Sequence, residues 1–134
     1  MIVVDSNILA YLYLPGEHST SAEALLERDS EWAAPLLWRS EFRNILAAYL
    51  RRGTLSFEQV IERQEEAEVL LEGAEFTVDS TSVLELVRDS KCSAYDCEFV
   101  ALASALGVPL VTADKAVLKA FPERAVTMSR FGAG

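Results

Sequence analysis

The chain is expected to be an α/β protein with a central parallel sheet of four to five strands covered by helices on both faces. Three observations predict this. Short apolar runs recur at Val3-Val4, at Phe76-Thr77-Val78 and from Pro109 to Thr112. The stretches between them carry apolar residues at the 3.6-residue helical period. The length, 134 residues, is that of one domain with one core, so residues 1–134 are read as one unit.

The first strand ends at Asp5-Ser6-Asn7, after which Ile8, Leu9 and Leu12 keep helical spacing until Pro15-Gly16. Ser19 to Arg28 forms a second helix, with Ala22, Leu25 and Leu26 on one side, and Trp32-Ala33-Ala34 is a short extended piece before Pro35. Leu37 to Arg52 is the clearest helix, with a basic last turn and a glycine stop at Gly53. Ser56 and Gln59 fit a capping box that opens a helix to Leu71. Phe76 to Val78 is a strand, and Ser80 to Ser90 and Ala94 to Leu106 are helices. Pro109 to Thr112 is a strand, Lys115 to Phe121 a short helix, and Ala125-Val126-Thr127 a last strand before a frayed, Gly-rich tail.

Twelve basic residues against 21 acidic ones give a formal charge of −9, which argues against a protein that grips nucleic acid by bulk electrostatics. No segment approaches the roughly 20 apolar residues that span a bilayer. The opening Met1-Ile2-Val3-Val4-Asp5 lacks the basic region of a secretory signal, so a cytoplasmic location is expected. Cys92 and Cys97 are too few for a disulfide framework and are read as reduced thiols.

Four acids are informative. Asp5 and Asp114 each close an apolar strand and open a helix, at the sheet edge where open parallel sheets bind ligands. Glu41 and Asp96 each fall on a helix face that should be apolar: Leu37, Trp38, Ile45 and Ala48 neighbour the first, and Phe99, Val100 and Ala103 the second. A carboxylate on a buried face is costly unless it is paired or coordinates a cation. Arg39 and Arg43 lie about 200° around the helix from Glu41 and are poor partners for it. Carboxylates without His or Cys suit Mg²⁺ or Mn²⁺, which can activate a water and stabilise charge on a phosphate. Packed carboxylates also repel, so the pKa of at least one should rise. The only histidine, His18, lies in a loop, and nothing forms a Ser/His/Asp or Cys/His set.

Each acid has an ordinary alternative. Asp5 and Asp114 suit helix N-caps, Asp96 suits the positive end of its helix, and Glu41 could pair with an arginine elsewhere. Ser6, Thr112, Asn7 and Asn44 are read first as local backbone partners and second as supports for the acids. Arg39, Arg43, Arg51 and Arg52 read first as a solvated helix face. Trp32 and Trp38 are expected in the core.

The chain resembles the PIN domains of VapC-type toxins over nearly its whole length. The resemblance rests on Asp5-Ser6-Asn7-Ile8-Leu9 after the first strand and the helix Ser40-Glu41-Phe42-Arg43-Asn44-Ile45-Leu46 ending in Arg51-Arg52-Gly53. It also rests on Ser93-Ala94-Tyr95-Asp96 entering an alanine-rich helix and on Thr112-Ala113-Asp114-Lys115. It implies a PIN-like three-layer sandwich and Mg²⁺- or Mn²⁺-dependent endoribonuclease activity, with Asp5, Glu41, Asp96 and Asp114 as the acidic quartet. It further implies a homodimer and a cognate antitoxin whose basic tail blocks the site. Lys115-Ala116-Val117-Leu118 lacks the further acid that some relatives carry there. Two rival readings are an inert PIN scaffold acting as a binding or regulatory subunit and a phospho-receiver switch. The latter wants paired acids after the first strand, where this chain has Ser6-Asn7.

Overall fold

In the computed structural model, which describes residues 1–133, five short strands form one sheet. They are β1 (Ile2–Val4), β2 (Trp32–Pro35), β3 (Glu75–Phe76), β4 (Leu110–Val111) and β5 (Ala125–Val126). All pair in parallel, in the order β3-β2-β1-β4-β5. Helices α1 (Ser6–Tyr13) and α2 (Ser19–Arg28) join β1 to β2, and α3 (Leu37–Arg51) and α4 (Phe57–Leu70) join β2 to β3. Helices α5 (Ser80–Arg88) and α6 (Ala94–Leu106) lead to β4, α7 (Lys115–Ala120) leads to β5, and α8 (Met128–Ala133) follows.

The chain adds strands in one direction from β1 to β3, then crosses over β1 and β2 to add β4 and β5 on the other side. Right-handed crossovers therefore put α1 to α4 on one face and α5 to α7 on the other. The packing agrees: α1 meets α2, α3 and α4, whereas α6 meets α5 and lies against β1, β2 and β4. This is the three-layer arrangement expected from the sequence. The reversal between β1 and β4 opens a crevice at their carboxyl ends, where such sheets place ligands.

The strands are buried runs because both faces are covered: Ile2, Val3, Val4, Ala33, Ala34, Leu110 and Val111 are buried. Pro35 is tolerated inside the sheet. Ala34 and Leu36 donate to the carbonyls of Ala74 and Phe76, so the intervening Pro35 nitrogen faces β1, beyond the last β1–β2 pair, Val3 with Ala33. Among the described residues, no helix is long and apolar enough to cross a membrane.

Most predicted elements lie where expected, and the Ser56–Gln59 capping box is present. The C-terminal tail differs. Instead of fraying, Met128–Ala133 form α8, while Gly134 lies outside the described residues: Thr127 accepts from the Arg130 backbone, α8 packs on α2, and Met128 and Phe131 rest against the core. Strand β3 begins one residue earlier than expected, at Glu75, and stops at Phe76. An acid is accommodated there because Trp38 Nε1 donates to it over 2.7 Å, and Arg39 grips both its oxygens at 2.6 and 2.8 Å. Arg39 also meets Glu68 at 3.2 Å, so it ties α3 to β3 and α4, unlike the exposed Arg43 and Arg51. This network holds the Glu75 carboxyl below the ordinary value, chiefly through the Arg39 hydrogen bonds.

Candidate active site

One cleft of about 410 Å³ opens at the carboxyl ends of β1 and β4, and Asp5, Glu41, Asp96 and Asp114 all line it. Residues far apart in the chain meet there because the strand order juxtaposes the ends of β1 and β4, while α3 and α6 approach from opposite faces. Its remaining walls are polar and uncharged or apolar, among them Ser6, Asn7, Ser40, Asn44, Tyr95 and Thr112. No lysine or arginine lines it, and among the described residues none of the four acids has an ion-pair partner.

Capping and site-building coexist in the two strand-end aspartates. Asp5 is the N-cap of α1: Oδ1 accepts from the Ile8 backbone at 3.1 Å, leaving Oδ2 to accept from the Thr112 hydroxyl. Thr112 in turn accepts from the Asp114 backbone at 3.0 Å, so a single buried hydroxyl links both strand ends. Asp114 caps α7 through Oδ1 alone, which accepts from Ala116 and Val117 at 2.8 and 3.1 Å. Its other oxygen remains for a ligand.

Glu41 has no arginine partner. Its Oε1 accepts from the buried Ser6 hydroxyl at 2.8 Å, which bolts α3 to the start of α1. The core stripe of α3 is Trp38, Phe42 and Leu46, and Ala48 is exposed. Glu41 therefore sits at the edge of the apolar face, beside the half-buried Leu37 and Ile45, where it faces the cleft. Asp96 stands in the first turn of α6, whose N-cap is Ser93, and its neighbours Phe99, Val100 and Ala103 are buried as expected.

Burial dominates the electrostatics of the site. Asp5 is pushed up to about 6, mainly by burial, against the lowering effect of the Thr112 hydroxyl and the Ile8 and Asn7 backbone N–H groups. Repulsion from Asp114 adds only a minor part, so burial more than mutual repulsion produces the expected rise. Glu41 is raised as well, first by burial and then by Asp96, with the Ser6 bond opposing. Glu98, which the sequence did not single out, is raised by burial and by Glu41.

The donor set fits a hard divalent cation: four carboxylates among hydroxyl and amide groups, no His or Cys in the lining, and no competing cationic side chain. The acids do not close into a ready-made shell. Among the described residues, no three His, Cys, Asp or Glu side chains form a metal group by themselves. Thr112, Ser6 and the α7 backbone already donate to three of the four acids. An open set of this kind suits Mg²⁺, which keeps several waters and binds one or two carboxylates directly.

A parallel α/β sandwich with four acids and no cations in its switch-point cleft defines a candidate metal-dependent acid–base site. The PIN domain family profile matches residues 2–123, and the chain belongs to that family. It is 33% identical over 131 residues to Ribonuclease VapC3 of Pyrobaculum aerophilum, covering 90% of this chain and 95% of that protein. Its fold is similar to that of FitAcB from Neisseria gonorrhoeae, with a TM-score of 0.76 and 17% identity over 96% of this chain and 99% of the other. A toxin-antitoxin complex from Klebsiella pneumoniae also matches, with a TM-score of 0.68 and 16% identity over 96% and 98% of the two chains.

Proposed function

We propose that this protein is a Mg²⁺- or Mn²⁺-dependent endoribonuclease, the toxin of a toxin-antitoxin pair, acting in the cytoplasm as a one-domain chain. The observation that carries the reading is the convergence of Asp5, Glu41, Asp96 and Asp114 on one cleft free of cationic side chains. Relationship to a protein named as a ribonuclease supports the same activity. In this reading Asp5 and Asp96 would hold the cation and Asp114 would complete its surroundings. Bound there, a cation would supply positive charge against the scissile phosphate and a lowered pKa for a water.

The protein's own residues do the rest. Glu41, held by Ser6 through Oε1, presents Oε2 to the attacking water and orients it or takes its proton. Its raised pKa brings it closer to a working general base at neutral pH. Thr112 fixes the direction of Asp5. A homodimer and an antitoxin with a basic tail complete the proposal; the −9 charge and the Arg/Lys-free cleft are complementary to such a tail.

The direct test is incubation of the purified protein with RNA, in Mn²⁺ and in EDTA. Cleavage confined to the Mn²⁺ arm is expected. Cleavage of equal rate in EDTA, or none in either arm, counts against the nuclease.

Asp114 separates its two duties in one experiment. Asparagine caps helices as well as aspartate, so Asp114→Asn should leave thermal stability nearly unchanged while RNA cleavage drops by about a hundredfold. Asp114→Ala should lose the same activity and, in addition, about 1 kcal/mol of stability by urea unfolding. If the asparagine variant cleaves like the parent, Asp114 is a cap and nothing more.

A further inference from the structure

The cleft poses a problem for any RNA ligand. Phosphate contacts through lysine and arginine supply most nucleic-acid affinity, and here no such side chain lines the site. Beyond the charge a bound cation would supply, affinity inside the cleft falls to neutral groups. Tyr95 stands out among them. It lines the cleft and is 62% exposed, unlike the other aromatic of the lining, Phe99, which is 3% exposed. Among the described residues its hydroxyl makes no side-chain hydrogen bond, and its ring has no aromatic partner.

Its backbone is well fixed, because Tyr95 lies in the first turn of α6 between the N-cap Ser93 and Asp96. An exposed aromatic residue thus directly precedes an acid of the site. Neutral hydrogen-bonding side chains, Asn7, Ser40 and Asn44, line the same cleft and can reach base edges without repelling phosphate. A second exposed apolar region, around Leu36 and Leu84, forms a separate groove that Tyr95 does not line. The tyrosine therefore belongs with the acids and not with that surface.

We propose that Tyr95 is the stacking platform for an unpaired nucleobase of single-stranded RNA and sets which nucleotide is presented beside Asp96. This rests on the ribonuclease reading of the cleft. Stacking on an aromatic face is strong enough to matter, tolerates different bases, and needs no positive charge.

The test uses the full-length protein with a short single-stranded oligoribonucleotide, and with the same ribose-phosphate chain lacking bases. Tyr95→Ala should raise KM for cleavage by about tenfold with kcat little changed, as for the loss of one stacked base. Tyr95→Phe should recover most of the loss, and Leu84→Ala should behave as the parent. Tyr95→Trp adds a binding readout that needs no cleavage. Trp32 and Trp38 are 1% and 0% exposed, so only the introduced indole can be quenched by a stacking base. Quenching by the oligoribonucleotide and not by the base-free chain is expected in EDTA as well as in Mn²⁺.

Quenching without any cleavage by the parent protein would sink the nuclease reading and leave the stacking site standing. Equal KM for parent and Tyr95→Ala, or quenching by both oligomers alike, overturns the proposal. An alanine variant that cleaves normally but changes its oligomeric state in light scattering assigns Tyr95 to a protein interface instead.

Discussion

Asp5→Asn is expected to lower RNA cleavage by about a thousandfold and, at neutral pH, to raise the melting temperature of the metal-free protein. The first effect follows from the proposed role of Asp5 in holding the cation, since the substitution removes its charge. The second follows from burial. Asp5 is pushed from 3.8 to about 6, so the folded protein binds that proton more tightly than the unfolded chain does. Its contribution to metal-free stability is complete below the ordinary carboxyl value and is lost as pH rises through about 6. A shift of this size corresponds to roughly 3 kcal/mol. Asparagine cannot ionise, so the variant escapes the loss.

The check is thermal melting of both proteins in EDTA at about pH 5 and about pH 8. Carboxylates whose values are lowered, such as Glu75, favour the folded state at the higher pH, but they are common to both proteins and cancel in the comparison. The variant should gain on the parent by at least about 5 °C between the two conditions. Parallel behaviour at both pH values would mean that Asp5 is not strained.

Trp38→Ala is expected to destabilise the protein by about 3–5 kcal/mol, the range for truncating a large buried aromatic. Trp38 is fully buried, packs against Phe42 with ring centroids 6.0 Å apart, and donates from Nε1 to Glu75 at 2.7 Å. The substitution opens a cavity under α3 and removes one of the two side chains that donate to an acid at the sheet edge. Trp38→Phe keeps much of the ring and loses mainly the hydrogen bond to a charged acceptor, for which about 1.5–3 kcal/mol is expected. Urea unfolding of both variants checks the order. A cost for alanine no larger than for phenylalanine would show that packing on α3 contributes little there.

Local chemistry made the fold legible. Ser56 with Gln59, Ser93 before the alanine-rich helix, and Gly107 with its φ of +68° after it are start and stop signals that the structure obeys. The order of the strands was not readable residue by residue, because Val3-Val4 and Leu110-Val111 are alike as runs and adjacency depends on the crossover after β3. The helix over Met128–Ala133 is hard to read because the glycines of the tail suggest fraying, whereas Thr127 needs only one hydroxyl to hold its first turn.

For the site, the four acids were visible as polar groups at strand ends and on helix faces, and all four line the cleft. The supports were harder to read. Ser6 and Thr112 resemble any hydroxyl near a cap, and only the fold shows Ser6 reaching Glu41 across 35 positions and Thr112 reaching Asp5 across 107. Tyr95 carried a weak signal, an aromatic in the first turn of a helix, which acquires meaning from its exposure beside Asp96.

Calorimetric titration of Mn²⁺ into the parent, Asp5→Asn and Asp96→Asn proteins bears most directly on the idea that distant carboxylates act together as a cation site. Saturable binding by the parent that disappears in both variants is the predicted result. Heats that are the same for all three proteins, or an inert parent, would contradict it.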